Sequence, residues 1–192
     1  TERSMNYMIE HTWQRIIIPS GPVELYVRVV VDKEYQEREP EWKSHVTELM
    51  SSVNQRFTKE FDIHFYTIDI SSWESPSELT NYGDILTYAT KNVDRRGANI
   101  LVILTGKNFD TDEGPHWEEI GVAHYLGNTI VVAEDKQLLH EIGHLFGAID
   151  YPEGDKNFDT ETIYSYRWTR RTDKIDPMNH ARILENKYRV LW

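Results

Sequence analysis

The sequence contains no cysteine. This absence excludes disulfide bonds, zinc sites made of thiolates and a cysteine nucleophile. It does not identify a cellular compartment, because many exported microbial proteins also lack cysteine. No signal peptide is visible, and the sequence begins at Thr1 rather than at a methionine. This start is compatible with removal of an upstream signal peptide, pro-segment or anchor, and a secreted or extracellular location is favoured over a cytoplasmic one.

Positive charge and long apolar runs are also scarce. The 32 acidic residues outnumber the 21 basic ones and give a formal net charge of -11. Nucleic acids and anionic membrane surfaces are therefore disfavoured as partners, because both are bound by positively charged faces. No apolar run approaches the ~20 residues that a membrane-spanning helix needs. We expect a globular protein, since 39% of the residues are hydrophobic and 12% are aromatic.

Hydrophobic patterns predict an alternation of strands and helices, with Ser77 as the N-cap of the second helix. Runs that alternate or are rich in β-branched residues predict strands, and apolar residues at helical spacing predict helices. The predicted strands are residues 23–31, 63–70, 99–105, 121–125 and 129–133, and the predicted helices are residues 41–61, 77–92, 135–146 and 179–188. This order fits a mixed sheet with helices, in the α/β or α+β class.

The segment with the most chemical information is His140-Glu141-Ile142-Gly143-His144. In a helix, residues four apart lie on the same face, so the imidazoles of His140 and His144 can bind one metal ion. Glu141 is displaced by one position and is unsuited to be a third ligand on that face. It can instead reach a water molecule that the metal acidifies, which is the mechanical meaning of the pattern H-E-x-x-H.

A third ligand is needed, because catalytic zinc usually has three protein ligands and one open position. Gly147 follows the histidines and can adopt a positive φ angle, which permits a sharp turn. That turn can bring Asp150 back towards the metal, and a carboxylate oxygen is an acceptable zinc ligand. An alternative stays open, in which Asp150 only caps a turn. Glu161 or Glu185 would then complete a thermolysin-like set of two histidines and one glutamate.

Residues 140–150 resemble the extended signature of the metzincin zinc peptidases, H-E-x-x-H-x-x-G-x-x-H/D. The usual third ligand of that family is histidine, and Asp150 resembles the aspartate variant of snapalysin-like members. A carboxylate is a harder ligand than imidazole and lowers the net charge of the site. The sequence is also similar to archaemetzincin-like and other small microbial metzincins, although it has no cysteine for the second zinc site of archaemetzincins. The resemblance implies one catalytic zinc ion.

The resemblance also implies roles for residues after the signature. Metzincins have a tight Met-turn beneath the metal, and Met178, which follows Pro177, is the candidate here. In astacin-like and serralysin-like members, a tyrosine two residues later approaches the metal. His180 stands at that position and is a candidate catalytic residue that stabilises the oxyanion, the alternative being an ordinary surface histidine at a helix start. Tyr164 and Tyr166 are alternative oxyanion donors.

Upstream, residues 120–133 look like the metzincin edge strand followed by the last strand of the sheet. In that family the edge strand is antiparallel and binds an extended peptide through its backbone. The residues of this candidate substrate-binding strand are Gly121, Val122, Ala123, His124 and Tyr125. The implied fold is a mixed, mostly parallel five-stranded sheet with an antiparallel edge strand, an active-site helix, and a loop-rich C-terminal part ending in a final helix. Residues 1–192 would form one catalytic domain, with an N-terminal subdomain (1–147) and a C-terminal subdomain (148–192).

These features predict a zinc-dependent endopeptidase that acts on peptide or protein substrates, with a monomer favoured. Glu141 would be the general base, taking a proton from the attacking water and passing it to the leaving amine. Two alternatives stay open. One is a gluzincin-like metallopeptidase with a later glutamate as third ligand, and the other is a zinc-containing but inactive module that binds peptides through its edge strand. The intact Glu141 argues against the inactive module.

Overall fold

The computed structural model describes residues 20–109 and 120–189. The strands are β1 (Val23–Val31), β2 (Ile63–Ser72), β3 (Ile100–Leu104), β4 (Gly121–Ala123) and β5 (Thr129–Val132). The helices are α1 (Lys33–Arg38), α2 (Trp42–Phe61), α3 (Tyr82–Asn92), α4 (Leu138–Leu145) and α5 (Pro177–Asn186), and a single 3-10 turn, Asp135–Gln137, leads into α4. Within the described ranges, no helix combines the length and the apolar character that crossing a bilayer requires.

The five strands form one sheet in the order β2-β1-β3-β5-β4. Neighbouring strands are parallel except β4, which lies at one edge and runs antiparallel to β5. The predicted mixed, mostly parallel sheet with an antiparallel edge strand is therefore confirmed. β3 lies at the centre, and all of its residues are buried. Its uninterrupted apolar sequence is the kind that a strand covered on both faces requires.

Helices cover both faces of the sheet and create two hydrophobic clusters. The larger cluster joins α2, α4 and α5 to one face, and the smaller cluster packs α3 against the other face. Leu138, Ile142 and Leu145 of α4 belong to the larger cluster. These residues recur at helical spacing and bury one side of α4. Of the residues between them, His140 and His144 lie on the other side of this helix.

The segment that leads into α4 is anchored to the first two helices. The Asp135 carboxylate accepts a hydrogen bond of 2.8 Å from the Tyr35 hydroxyl of α1. It also lies 2.6 Å from Nε2 of His45 on α2. This hydrogen bond with Asp135 raises the pKa of His45 and so favours a charged imidazolium beside the carboxylate. The start of the α4 region is thereby fixed against α1 and α2.

One helix begins later than the sequence predicts. α3 starts at Tyr82 rather than near Ser77, because the side chain of Asn81 caps it by accepting a 2.8 Å hydrogen bond from the Asp84 N–H. Asparagine is as good an N-cap as serine, and the sequence alone does not decide between them. The short helix α1 was not predicted, since six residues carry too little periodic pattern to be recognised.

The last helix begins earlier than the sequence predicts. α5 starts at Pro177 rather than at Asn179, because the Asp176 side chain accepts hydrogen bonds from the N–H groups of Met178 and Asn179. Proline is well suited to the first position of a helix, where its missing N–H costs nothing. Residues 176–179 are therefore a helix start, and this conformation decides where Met178 lies.

Candidate active site

Helix α4 presents His140 and His144 one turn apart, on the side opposite its buried leucines. The helix ends at Leu145, and Gly147 follows with a φ angle of 84°. This left-handed conformation is one that glycine adopts without steric cost. The Gly147 N–H donates to the His144 carbonyl at 3.1 Å and so closes the helix end. The chain turns here and returns Asp150 to the two histidines.

The two imidazoles direct the same nitrogen atom to a common point. Nδ1 of His140 lies 2.8 Å from the carbonyl oxygen of Ile163, and Nδ1 of His144 lies 2.8 Å from that of Ala148. A carbonyl oxygen only accepts, so each Nδ1 carries the hydrogen and each neutral ring keeps a lone pair on Nε2. The two Nε2 atoms are 2.9 Å apart. Two lone pairs at this distance repel each other unless a proton or a cation lies between them. Metal-binding histidines typically donate a hydrogen bond from the nitrogen that does not bind the metal, as both Nδ1 atoms do here.

Asp150 brings a carboxylate to the same point. Its Oδ1 lies 3.2 Å from Nε2 of His140, and its Oδ2 lies 3.4 Å from Nε2 of His144. The Oδ1 contact lacks hydrogen-bond geometry, and this buried atom has no hydrogen-bond partner among the described residues. An unsatisfied buried carboxylate oxygen is unfavourable, but a cation would satisfy it. Two imidazole nitrogens and one carboxylate are a donor set that fits catalytic zinc.

Burial and charge pairing compete at this site. Burial alone would raise the pKa of Asp150, but the imidazoles of His140 and His144 outweigh it and hold that pKa well below its ordinary value. Burial opposes a charge on His144, but the hydrogen bond and the charge of Asp150 outweigh it and raise the pKa of His144 to about 9. At neutral pH the metal-free site therefore attracts a proton, and a bound metal cation would displace it.

Glu141 lies beside the donor atoms rather than among them. Side chains of His140, Glu141 and His144 offer donor atoms within 4.8 Å of one another. However, Glu141 Oε1 is 3.9 Å from Nε2 of His140, which is farther than either contact of Asp150 with the histidines. Burial of the Glu141 side chain raises its pKa, and a raised pKa suits a carboxyl group that exchanges protons near neutral pH. Gly121 of β4 leaves room for it, because a Cβ there would lie 2.6 Å from Oε1.

The histidines, Glu141 and Asp150 line a cleft of about 330 Å³ together with the edge strand. The edge-strand residues that line this cleft are Gly121, Val122, Ala123 and Tyr125. β4 ends at Ala123, so it is shorter than predicted. His124 is directed to α3 instead, where its Nδ1 lies 3.5 Å from the hydroxyl of Thr90. The structure thus brings all of the predicted strand residues except His124 to the cleft.

Met178 and His180 are not among the residues that line this cleft, so the structure does not bring these two predicted residues to the site. Met178 lies in the first turn of α5 with 42% of its surface exposed, not beneath the histidines. His180 packs against the ring of Phe61, with the ring centroids 4.7 Å apart. The physical reason is the helix start at Asp176 and Pro177, which replaces the tight turn that the sequence suggested.

The aromatic ring that packs against both imidazoles belongs to Tyr164. Its centroid lies 5.1 Å from that of His140 and 5.7 Å from that of His144. Its hydroxyl is so close to Gly143 that a Cβ there would lie 1.7 Å away. Tyr164 therefore occupies the supporting position expected of a Met-turn methionine. A sequence signal could have identified it, because Tyr166 stands two residues later, which is the spacing expected between a Met-turn methionine and a tyrosine that approaches the metal. Tyr166 lines the cleft.

The alternative third ligands lie elsewhere. Glu161 is exposed and forms an ion pair of 2.6 Å with Lys174, and Glu185 is exposed on α5. The carboxylate of Asp150, by contrast, contacts Nε2 of both histidines. The geometry therefore favours Asp150 over both.

Comparison with known proteins adds a family and a fold. The family model described as "Metallo-peptidase family M12", a reprolysin-type model, matches residues 22–162. No curated protein matches the chain. A solved structure of archaemetzincin from Methanopyrus kandleri has a TM-score of 0.59 at 14% identity and covers 90% of this chain and 100% of its own. A solved chaperone-substrate complex has a TM-score of 0.55 at 13% identity, over 73% of this chain.

The two solved structures show a shared fold only, because their sequence identities are low. The chain spans about a quarter (26%) of the length of the chaperone-substrate structure. The family match is more informative, since it covers well over half of the chain and contains α4, Gly147 and Asp150. It ends at residue 162, before Tyr164 and α5. With its signature residues inside the matched range, this chain belongs to metallo-peptidase family M12, and it shares its fold with archaemetzincin.

Proposed function

We propose that the protein is an endopeptidase whose zinc ion is held by His140, His144 and Asp150. The observation that carries this proposal is the 2.9 Å approach of two Nε2 atoms whose partner nitrogens both donate to carbonyl groups. Only a shared proton or a cation makes this approach favourable, and a metallopeptidase requires the cation. The unsatisfied Oδ1 of Asp150 supplies a third donor at the same point.

The residues around the donor atoms have complementary roles in the proposed reaction. A bound zinc ion supplies Lewis-acid polarisation of the peptide carbonyl and acidifies water for the attack. Glu141 takes the proton from the attacking water and delivers it to the nitrogen of the leaving amine, and its raised pKa allows it to hold that proton between the two transfers. We assign the Tyr166 hydroxyl to the developing oxyanion in place of His180, because Tyr166 lines the cleft whereas Tyr164 is enclosed against Gly143.

The edge strand β4 offers the substrate a binding surface. Among the described strands it is the outermost on its side of the sheet, and it pairs with β5 only. An extended peptide can add to such an edge through backbone hydrogen bonds. Backbone recognition allows the peptide to continue in both directions along the strand. This arrangement favours cleavage at internal bonds over removal of terminal residues.

Hydrolysis of a denatured protein, with and without a zinc chelator, tests the proposal. We expect the full chain to cut an unfolded casein at internal bonds, to lose this activity when the chelator is added, and to regain it when zinc is restored. Mass spectrometry of the products separates internal cleavage, which gives peptides, from terminal trimming, which gives single amino acids. Hydrolysis that persists after zinc removal would contradict the proposal, and zinc binding without any hydrolysis would indicate the peptide-binding module instead.

A further inference from the structure

The segment that carries Asp150 is held by two side chains from the start of α5. Asp176 is 6% exposed, and Asn179 is fully buried. Asn179 Oδ1 accepts a hydrogen bond of 2.8 Å from the N–H of Ile149, and Asn179 Nδ2 donates one of 3.0 Å to the carbonyl of Ile149. One side-chain amide therefore pairs with both backbone polar groups of the residue that precedes Asp150.

Asp176 holds the residue on the other side of Asp150. The Tyr151 hydroxyl donates to Asp176 Oδ1 at 3.0 Å, and the second hydrogen of the Asn179 amide goes to Asp176 Oδ2 at 2.9 Å. Burial alone would raise the pKa of Asp176, but hydrogen bonds from Asn179, Thr162 and Tyr151 outweigh it and hold that pKa below its ordinary value. The carboxylate thus stays charged and joins both flanks of Asp150 to α5.

We propose that Asp176 and Asn179 form a positioning clamp that sets the zinc affinity of the site by holding the two neighbours of Asp150, the Ile149 backbone and the Tyr151 side chain. The inference rests on the proposed function, because it requires Asp150 to be a ligand. Asp150 lies beyond the end of α4 in an irregular segment, so helical hydrogen bonds do not set its orientation. Both members of the clamp lie outside the range of the family match.

The clamp acts by restricting backbone rotation around the ligand. Without it, Ala148 and Tyr151 would keep their own backbone hydrogen bonds, but Ile149 would lose its two bonds to Asn179. Asp150 would then sample orientations in which its carboxylate points away from the histidines. Zinc binding would then have to supply the ordering free energy. Replacing a residue that hydrogen-bonds to a metal ligand, without binding the metal itself, typically changes metal affinity by about 10–100-fold. This range sets the effect that we expect here.

Zinc affinity of the full chain, measured by competition with a chromophoric chelator, tests the clamp. We expect Asn179→Ala to weaken zinc binding by about 10–100-fold, and Tyr151→Phe, which removes one hydrogen bond, to weaken it less. Asn54→Ala is the matched control, because Asn54 also binds a backbone N–H, that of Phe65 on β2 at 2.7 Å. This control is expected to lower the melting temperature while keeping the zinc affinity of the unmodified protein.

Asp150→Ala, measured in the same way, separates the clamp from the ligand assignment. A folded Asn179→Ala protein with the zinc affinity of Asn54→Ala would overturn the clamp. If Asn179→Ala does not fold, an unchanged zinc affinity in Tyr151→Phe overturns it. Loss of affinity in Asp150→Ala together with no loss in Asn179→Ala would reject only the clamp. Full affinity in Asp150→Ala would reject Asp150 as a ligand, and the clamp with it.

Discussion

Replacing Glu141 by glutamine is expected to lower kcat/KM for a peptide substrate by about 10²–10⁴-fold, the range associated with loss of a general base. Glutamine has nearly the same shape as glutamate but cannot accept the proton of the attacking water. The substituted side chain fits the same buried space beside Gly121. Glu141 is not one of the proposed ligands, so the variant is expected to keep its zinc, as measured by metal analysis of the purified protein.

Glu185→Gln is the matched control for this substitution. Glu185 is an exposed glutamate on α5, and its replacement is expected to leave both kcat/KM and zinc content unchanged. A Glu141→Gln protein that retains the turnover of this control would show that another group accepts the proton of the attacking water. A protein that loses its zinc instead would show that Glu141 belongs to the ligand set.

Replacing Asp150 by alanine is expected to weaken zinc binding by more than about 100-fold. This loss exceeds the range seen when residues that only hydrogen-bond to metal ligands are replaced. The two imidazoles would remain, but a third donor would be missing and the site would be incomplete. A 100-fold loss corresponds to about 2.7 kcal/mol of zinc-dependent stabilisation at saturating zinc. For a domain of this size that is a decrease of roughly 5–10 °C in the zinc-induced rise of Tm. Thermal melts with and without zinc measure it.

Asp155→Ala is the corresponding control, because Asp155 is an aspartate of the same irregular segment whose side chain accepts a hydrogen bond from the Asn157 N–H. It is expected to show the zinc-induced rise in Tm of the unmodified protein. An equal rise in Asp150→Ala would mean that Asp150 only caps a turn. The third ligand would then have to be sought elsewhere in the chain.

Those parts of the site that depend on local geometry could be predicted from the sequence. His140 and His144 are four residues apart on a helix, and that spacing alone places their imidazoles side by side. Gly147 permits the turn that returns Asp150, and its positive φ angle is the conformation that the turn requires. The central strand was also predictable from its uninterrupted apolar run, whereas the antiparallel edge strand followed only from the resemblance to metzincins.

The support of the site could not be predicted, because it depends on contacts between distant segments. Met178 follows a proline and was interpreted as part of a turn, yet Asp176 caps a helix there and leaves Met178 exposed. Tyr164 lies in an irregular segment with no periodic pattern, and its spacing to Tyr166 was the one sequence signal for the position of its ring against the histidines. Asn179 bonds to Ile149 across thirty positions of sequence, a contact that no local spacing indicates.

Diffraction from zinc-containing crystals at wavelengths on either side of the zinc absorption edge tests the ligand assignment most directly. We expect one strong anomalous peak about 2.0–2.2 Å from Nε2 of His140, from Nε2 of His144 and from a carboxylate oxygen of Asp150. A peak at another position, or a structure in which Asp150 turns away from the zinc ion, would contradict the account.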